Sequence, residues 1–197
     1  MIPIVLASTS ASRAALLKAA GVAFTAMVSG VDEDEIKTRM RAAAVGADRI
    51  ALSLAEGKAV AVSRRTSGLV IGGDQTLELD GVHYGKSCVP EDTRATLLGL
   101  RGRRHSLHSG VALARDGTLL WSTVVSSALT MRWFSDTFLD GYLERCGAAV
   151  ASSVGAYHLE GEGAQLFESI DGDYFAILGL PMLALLGALR RAGGLPK

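Results

Sequence analysis

A small set of side chains in this sequence suits work on a polyphosphate. Ser8, Ser10, Arg13, Lys58 and Lys86 are hydroxyls and cations placed at the ends of elements or beside glycine. Glu33 and Asp74 are carboxylates in similar places. Hydroxyls and cations hold phosphate oxygens, and hard divalent cations take carboxylate oxygens. Together they are what metal-assisted hydrolysis of a phosphoanhydride requires. Patterns for other chemistry, such as a Walker A loop, HExxH, GxSxG or an EF-hand loop, do not occur.

The elements that must position these groups follow from the local patterns. Ile2 to Ala7 reads as a buried strand, Ser8-Thr9-Ser10 as a hydroxyl-rich loop, and Ala14 to Ala20 as a helix stopped by Gly21. Such a loop presents backbone N–H groups to an anion. Arg13, in the first turn, opposes the helix dipole and asks for an anion nearby, unless it is simply solvated beside a capping Ser10 or Ser12. Val22 to Ser29 reads as a second strand. The acidic run Asp32 to Glu35 then opens a helix, and one of its acids could face a metal. Ala47 to Arg65 has the apolar spacing of an amphipathic helix, with Lys58 at the edge of its apolar face.

Val70-Ile71-Gly72-Gly73-Asp74-Gln75-Thr76 is the centre of this arrangement. A strand that breaks at the two glycines would leave Asp74 at its end or bend. An acid there must be paired, hydrogen-bonded or set at a site. Two readings stay open on this stretch alone: a turn in which Asp74 and Gln75 satisfy backbone groups, or a functional site. Asp80-Gly81 signals a hairpin turn, Gly81 to Gly85 a returning strand, and Gly85-Lys86 a close backbone approach beside a mobile point charge.

Beyond it, Pro90 to Leu100 reads as a helix. Arg103 to Ala114 and Thr118 to Met131 form a long hairpin, Ser135 to Arg145 a helix, and Ser152 to Gly163 a glycine-rich polar loop. Gln165 to Ile170 and Tyr174 to Leu178 read as a hairpin, and Pro181 starts a last helix ending near Arg190-Arg191. His105 and His108, three apart on a strand, face opposite sides and make no metal pair.

The bulk properties set limits. The chain has 197 residues, 49% of them hydrophobic, enough for one sizeable core in one domain or two tightly joined lobes. Twenty basic residues balance twenty acidic ones, so no broad basic field for a nucleic-acid polymer is expected. Cys88 and Cys146 form neither a disulfide framework nor a zinc site. No stretch reads as a signal peptide or a membrane span, and a cytoplasmic protein is expected.

The order of these pieces resembles the Maf family, the septum-formation-inhibitor-like nucleotide pyrophosphatases, over nearly the whole chain. The resemblance rests on Leu6-Ala7-Ser8-Thr9-Ser10-Ala11-Ser12-Arg13 with Leu16-Leu17, on Val31-Asp32-Glu33, on Leu54-Ala55-Glu56-Gly57-Lys58-Ala59 and on Gly72-Gly73-Asp74-Gln75-Thr76. Gly85-Lys86, Gly102-Arg103-Arg104-His105, Gly155 to Gly161, Ile170 to Tyr174 and Leu178-Gly179-Leu180-Pro181 complete it. It implies an α/β fold with a bent mixed sheet, flanking helices and two lobes around a central cleft, like inosine triphosphate pyrophosphatases. It also implies a homodimer. The implied activity cleaves a nucleoside triphosphate between the α and β phosphates with a divalent cation, magnesium or manganese. On this resemblance Asp74 is the general base or water-positioning acid, and Glu33 and Asp74 serve the metal. Ser8, Ser10, Arg13, Lys58 and Lys86 hold phosphates, Lys86 with a catalytic part.

Members acting on thymidine and uridine triphosphates typically have Ala-Asp-Thr where this chain has Gly73-Asp74-Gln75. They also have Gln where it has Glu160. Gln75 and Glu160 resemble instead the branch associated with 7-methylguanosine triphosphate, with Gln75 able to donate and accept and Glu160 able to accept from a guanine edge. Ser87, where that branch has proline, departs from it. The rival readings are a pyrimidine triphosphate pyrophosphatase, a nucleotide-binding regulator without catalysis, and a cell-division scaffold.

Overall fold

The computed structural model describes residues 2–86 and 90–196, so Ser87 and Cys88 lie outside the described residues. The chain is mixed α/β, and its strands β1 (Ile4–Leu6), β2 (Thr25–Ala26), β3 (Leu69–Leu79), β4 (Val82–Tyr84), β5 (Arg104–Arg115), β6 (Thr118–Met131) and β7 (Phe167–Asp171) hydrogen-bond in the order β2-β1-β3-β5-β6-β7, with β4 on β3. It divides into two compact units, residues 1–75, 108–125 and 173–197, and residues 76–107 and 126–172.

In the first unit β1 (Ile4–Leu6) is buried throughout. It pairs in parallel with β2 (Thr25–Ala26) and with β3 (Leu69–Leu79), Val5 opposite both Thr25 and Val70. Parallel strands bury both faces, and here the two faces are distinct. Val5 and Val70 pack with Val62 of α3 (Ala47–Ser63). Leu6, Leu69 and Ile71 pack with Leu17 of α1 (Ala11–Ala19) and with Leu185 and Leu189 of the last helix, Met182–Arg191.

Two glycines let α3 lie close on the sheet. A Cβ at Gly72 would stand 2.0 Å from the Ala55 carbonyl oxygen, and one at Gly110 would stand 2.5 Å from that of Ala51. Ala55 and Ala59 meet Ala112 and Ala114 in the same contact. Small residues on both partners thus decide how near α3 comes, and with it Lys58.

Ser10 caps α1, its side chain accepting from the Arg13 N–H, and Ser12 lies inside the helix. The acidic run opens α2 (Glu33–Ala42). Asp32 is its N-cap and three acids fill its first turn, where the helix dipole favours them.

In the second unit the far part of β3 pairs antiparallel with β4 (Val82–Tyr84) across Asp80-Gly81. Both turn residues have positive φ, 51° and 78°, as a two-residue hairpin turn requires. Helix α4 (Pro90–Leu100) and helix α5 (Asp136–Cys146, capped by Ser135) follow, and β7 (Phe167–Asp171) pairs antiparallel with β6 (Thr118–Met131). Strand β5 (Arg104–Arg115) joins β6 through Asp116-Gly117, again both at positive φ.

Three sequence expectations fail here. Strand β3 does not break at Gly72-Gly73 but runs through them to Leu79, so Asp74 is mid-strand. Strand β1 pairs with the residues just before them, Leu6 opposite Ile71, and the bare glycines then pass under α3 and Arg13, where a Cβ would clash. Of Val22 to Ser29 only Thr25–Ala26 is strand. Tyr174–Ile177 is helix α6 rather than a hairpin arm, because the Asp173 carboxylate caps it by accepting from the Ala176 N–H at 2.7 Å. The Met182–Arg191 helix is therefore α7. Among the described residues no helix is long and apolar enough to cross a membrane.

Candidate active site

Strand alternation splits the glycine-aspartate stretch into two faces. Gly72 and Asp74 turn toward α3, and Gly73 and Gln75 turn the other way. The α3 side holds an ion triad, buried at Lys58 and Asp74 and half-exposed at Glu33. Lys58 Nζ donates to Asp74 Oδ1 at 2.6 Å and lies 2.7 Å from Glu33 Oε1. Both Lys58 and Asp74 are 5% exposed, and Glu33 reaches in from the first turn of α2. Lys37, one helical turn further on, lies 3.4 Å from Glu33 Oε2.

One ammonium thus bridges two carboxylates, and a second steadies the outer one. Burial pushes the Glu33 carboxyl up, but the hydrogen bond and charge of Lys58, helped by Lys37, outweigh it and hold the group below its ordinary value. Asp74 Oδ2 is buried and has no hydrogen-bond partner among the described residues. An unpaired carboxylate oxygen at such depth is costly unless the site uses it.

The other face carries Arg13. Its guanidinium lies over Gly73, where a Cβ would stand 3.1 Å from both Arg13 Cδ and Nε. Nε donates to the Gly179 carbonyl at 3.0 Å and Nη1 donates to Ser8 Oγ at 3.2 Å. Ser8 Oγ also accepts from the Ser10 N–H at 3.2 Å, which ties the loop to the cation. Burial lowers the Arg13 pKa, while the negative charges of Asp74 and Glu33 work against that. Gln75 Nε2 donates to Ser109 Oγ at 2.8 Å and to the Ile177 and Ala176 carbonyls at 2.9 and 3.1 Å.

The first unit therefore brings together Ser8, Ser10, Arg13, Glu33, Lys58, Asp74 and Gln75. Lys86, just after β4, and Glu160, in the loop before the 3-10 turn Glu162–Leu166, belong to the second unit, and both are exposed. In that unit His105 Nε2 lies 2.8 Å from the Tyr157 hydroxyl, and both rings contact Phe167. Burial drives His105 down to about 4, the backbone at Arg103 working the other way.

Sequence reasoning missed two participants. Lys37 had a readable signal, its i+4 spacing from Glu33 on a helix. Ser109 had only a weak one, a lone hydroxyl ahead of the apolar run Gly110 to Ala114.

Among the described residues no three His, Cys, Asp or Glu side chains cluster as a metal cage. The donor set nonetheless suits a cation of the magnesium type. Such ions take one or two carboxylates and complete their shell with water and substrate phosphate, and Asp74 Oδ2 is an unengaged hard donor beside Glu33.

The fold and these side chains define a mixed α/β protein with carboxylates and cations gathered around a buried Lys58–Asp74 pair. Residues 3–192 match the family model described as Maf-like protein, and the chain belongs to that family. It is 53% identical over 193 residues to the "Nucleoside triphosphate pyrophosphatase" of Caulobacter vibrioides, covering 98% of this chain and 97% of that one. It is 45% identical over 193 residues to the "7-methyl-GTP pyrophosphatase" of Rhizobium meliloti, again covering 98% and 97%. Among solved structures, "Structure of a HAM1 protein from Coxiella burnetii" overlaps 66% of this chain and 73% of that one, with TM-score 0.41 and 18% identity.

Proposed function

We propose that this chain is a nucleoside triphosphate pyrophosphatase, adding water across the α–β anhydride to give a nucleoside monophosphate and pyrophosphate. The observation that carries the proposal is Asp74. It is a buried carboxylate with one oxygen locked by Lys58 and the other unpartnered among the described residues. Its relatives' names supply the substrate class.

Lys58 Nζ lies 2.6 Å from Asp74 Oδ1 and 2.7 Å from Glu33 Oε1, and its hydrogen bond and charge hold the Glu33 carboxyl below its ordinary value. Asp74 Oδ2 then accepts a proton from the attacking water, while Oδ1 stays held by Lys58, so the base does not swing as it works. Arg13, oriented by the Gly179 carbonyl and Ser8 Oγ, offers its guanidinium to the phosphate oxygens. Ser10 stiffens that loop through its cap. A divalent cation held by Asp74 and Glu33 would supply charge neutralisation of the polyphosphate. On the family resemblance Lys86 is a further phosphate-suited cation, and Glu160 and Gln75 are the sequence's candidates for contact with the base. Assembly as a homodimer is part of the same reading.

Pyrophosphate release from a panel of triphosphates, with and without magnesium or manganese, tests this. The panel includes 7-methyl-GTP, GTP, UTP and dTTP. Metal-dependent pyrophosphate with one mole of monophosphate per mole is expected. Stoichiometric binding without any turnover would instead establish a nucleotide-binding regulator. The share of 7-methyl-GTP in the activity places the chain relative to the Rhizobium meliloti protein and the pyrimidine alternative.

A further inference from the structure

Gln75 follows Asp74 directly, yet its amide is turned inward on the opposite face of β3. A primary amide nitrogen has two hydrogens. Here one meets Ser109 Oγ at 2.8 Å, and the other is shared by the carbonyls of Ile177 and Ala176 at 2.9 and 3.1 Å. Ser109, 1% exposed on β5, passes its own hydrogen to the Ala176 carbonyl at 2.6 Å. That same carbonyl accepts the Gly179 N–H at 2.9 Å. The Gly179 carbonyl in turn accepts Arg13 Nε at 3.0 Å. An unbroken hydrogen-bonded path therefore runs from Gln75 and Ser109 to the guanidinium.

We infer that Ser109 is a positioning residue for Arg13, acting with Gln75 as a latch on the Ala176–Gly179 backbone, and that the Gln75 amide serves this latch rather than the nucleobase. Besides the latch, the segment is held by the Asp173 cap and by burial of Ala176, Ile177 and Leu180, none of which aims the Gly179 carbonyl at Arg13. Helix α6 is only four residues long, too short to be stable alone, and Gly179 sits at a φ of 107° where only glycine is unstrained. Gly73 completes the arrangement, because its bare backbone leaves the room that Arg13 occupies beside Gln75. A guanidinium binds phosphate well only when its fork is aimed, and misplacement by an ångström is costly. The nitrogen that could have donated to a base edge already has its acceptors inside the protein.

The inference rests on the proposed function only for Arg13 binding phosphate, so the test uses a ligand that needs no catalysis. Calorimetry measures the affinity for inorganic tripolyphosphate with magnesium in the wild type, Ser109→Ala, Arg13→Ala and the double variant, with melting curves for each. Ser109→Ala is expected to weaken binding roughly tenfold, and to have no further effect once Arg13 is gone. Gln75→Asn, too short to reach, is expected to lose affinity similarly, and it replaces Ser109→Ala if that variant does not fold. In the triphosphate panel Gln75→Asn keeps the wild-type ratio of rates on 7-methyl-GTP and UTP.

Additive losses in the double variant, full affinity in Ser109→Ala, or a changed base ratio in Gln75→Asn overturn the latch. Failure of the wild type to bind tripolyphosphate overturns it as well, by removing the phosphate role of Arg13. Coupled losses in a protein that hydrolyses no triphosphate leave the latch standing and sink the pyrophosphatase reading instead.

Discussion

Lys58 Nζ stands 2.6 Å from Asp74 Oδ1, a buried ion pair between the middle of helix α3 and the middle of strand β3. Neither group could be buried so deeply alone, since an unpaired charge in such surroundings costs several kcal/mol. The pair also divides the labour of the carboxylate. One oxygen is committed to the lysine, and the other remains for chemistry. Glu33 joins from outside and shares the ammonium.

Asp74→Asn tests the base. The amide keeps the size and one acceptor, but it cannot take a proton or neutralise a cation. Pyrophosphate release is expected to fall by at least about 100-fold in a protein that still folds, with a lowered melting temperature because Lys58 keeps only Glu33 as its partner. A variant that turns over at the wild-type rate would remove Asp74 from the catalytic role.

Lys58→Met tests the ion pair as structure. It leaves two carboxylates facing each other without their shared cation. A loss of about 3 kcal/mol in urea unfolding is expected, from the uncompensated buried charge on Asp74. The double variant Lys58→Met/Asp74→Asn should recover part of that loss, because it removes the charge that was stranded. Equal stability of the single and double variants would show that Asp74 carries no such burden.

Gly72→Ala tests the approach of α3. The added methyl would stand 2.0 Å from the Ala55 carbonyl oxygen and 2.7 Å from the Ala59 nitrogen, both backbone atoms that cannot swing aside. The helix must move off the strand, carrying Lys58 with it. We expect destabilisation of about 2 kcal/mol or more together with a large loss of turnover. Retention of both would mean that α3 can shift without disturbing the triad.

His105 gives stability a pH dependence apart from the ion triad. Burial holds its folded pKa at about 4, below the ordinary histidine value, so the unfolded chain binds more protons as the pH falls between them. Stability is fully present above about pH 6.5 and declines as the pH drops toward 4, by about 3 kcal/mol at most. Glu33, also held below its usual value, adds a loss only at lower pH, as the pH falls through its folded pKa. Urea midpoints measured at pH 7 and pH 5 should separate the two, since His105→Phe is expected to flatten the dependence in this window. An unchanged slope in that variant would assign the effect elsewhere.

Much of the fold was legible because its signals are local. The helix at Ala47–Ser63 showed its apolar period, the turns at Asp80-Gly81 and Asp116-Gly117 showed residues that tolerate positive φ, and α1 showed its cap. The missed elements were those fixed by a single distant or competing contact. Glycines 72 and 73 read as a strand break because nothing local reveals that α3 and Arg13 fill the space over them. Tyr174 to Leu178 read as a strand because its apolar run is short, and the Asp173 cap decided for helix.

By itself the sequence determined which chemical groups exist and roughly where: cations, hydroxyls and carboxylates at element ends or beside glycine, and the order of motifs that marks the family. Only the tertiary structure decided what each group is committed to. Side-chain type fixes what a residue can donate or accept, but partners come from residues far apart in the chain. Asp74 and Gln75 are neighbours in sequence, and strand alternation sends one to Lys58 and the other to Ser109. That separation, which no local pattern encodes, leaves Asp74 with an unengaged oxygen and leaves the Gln75 nitrogen without one to spare.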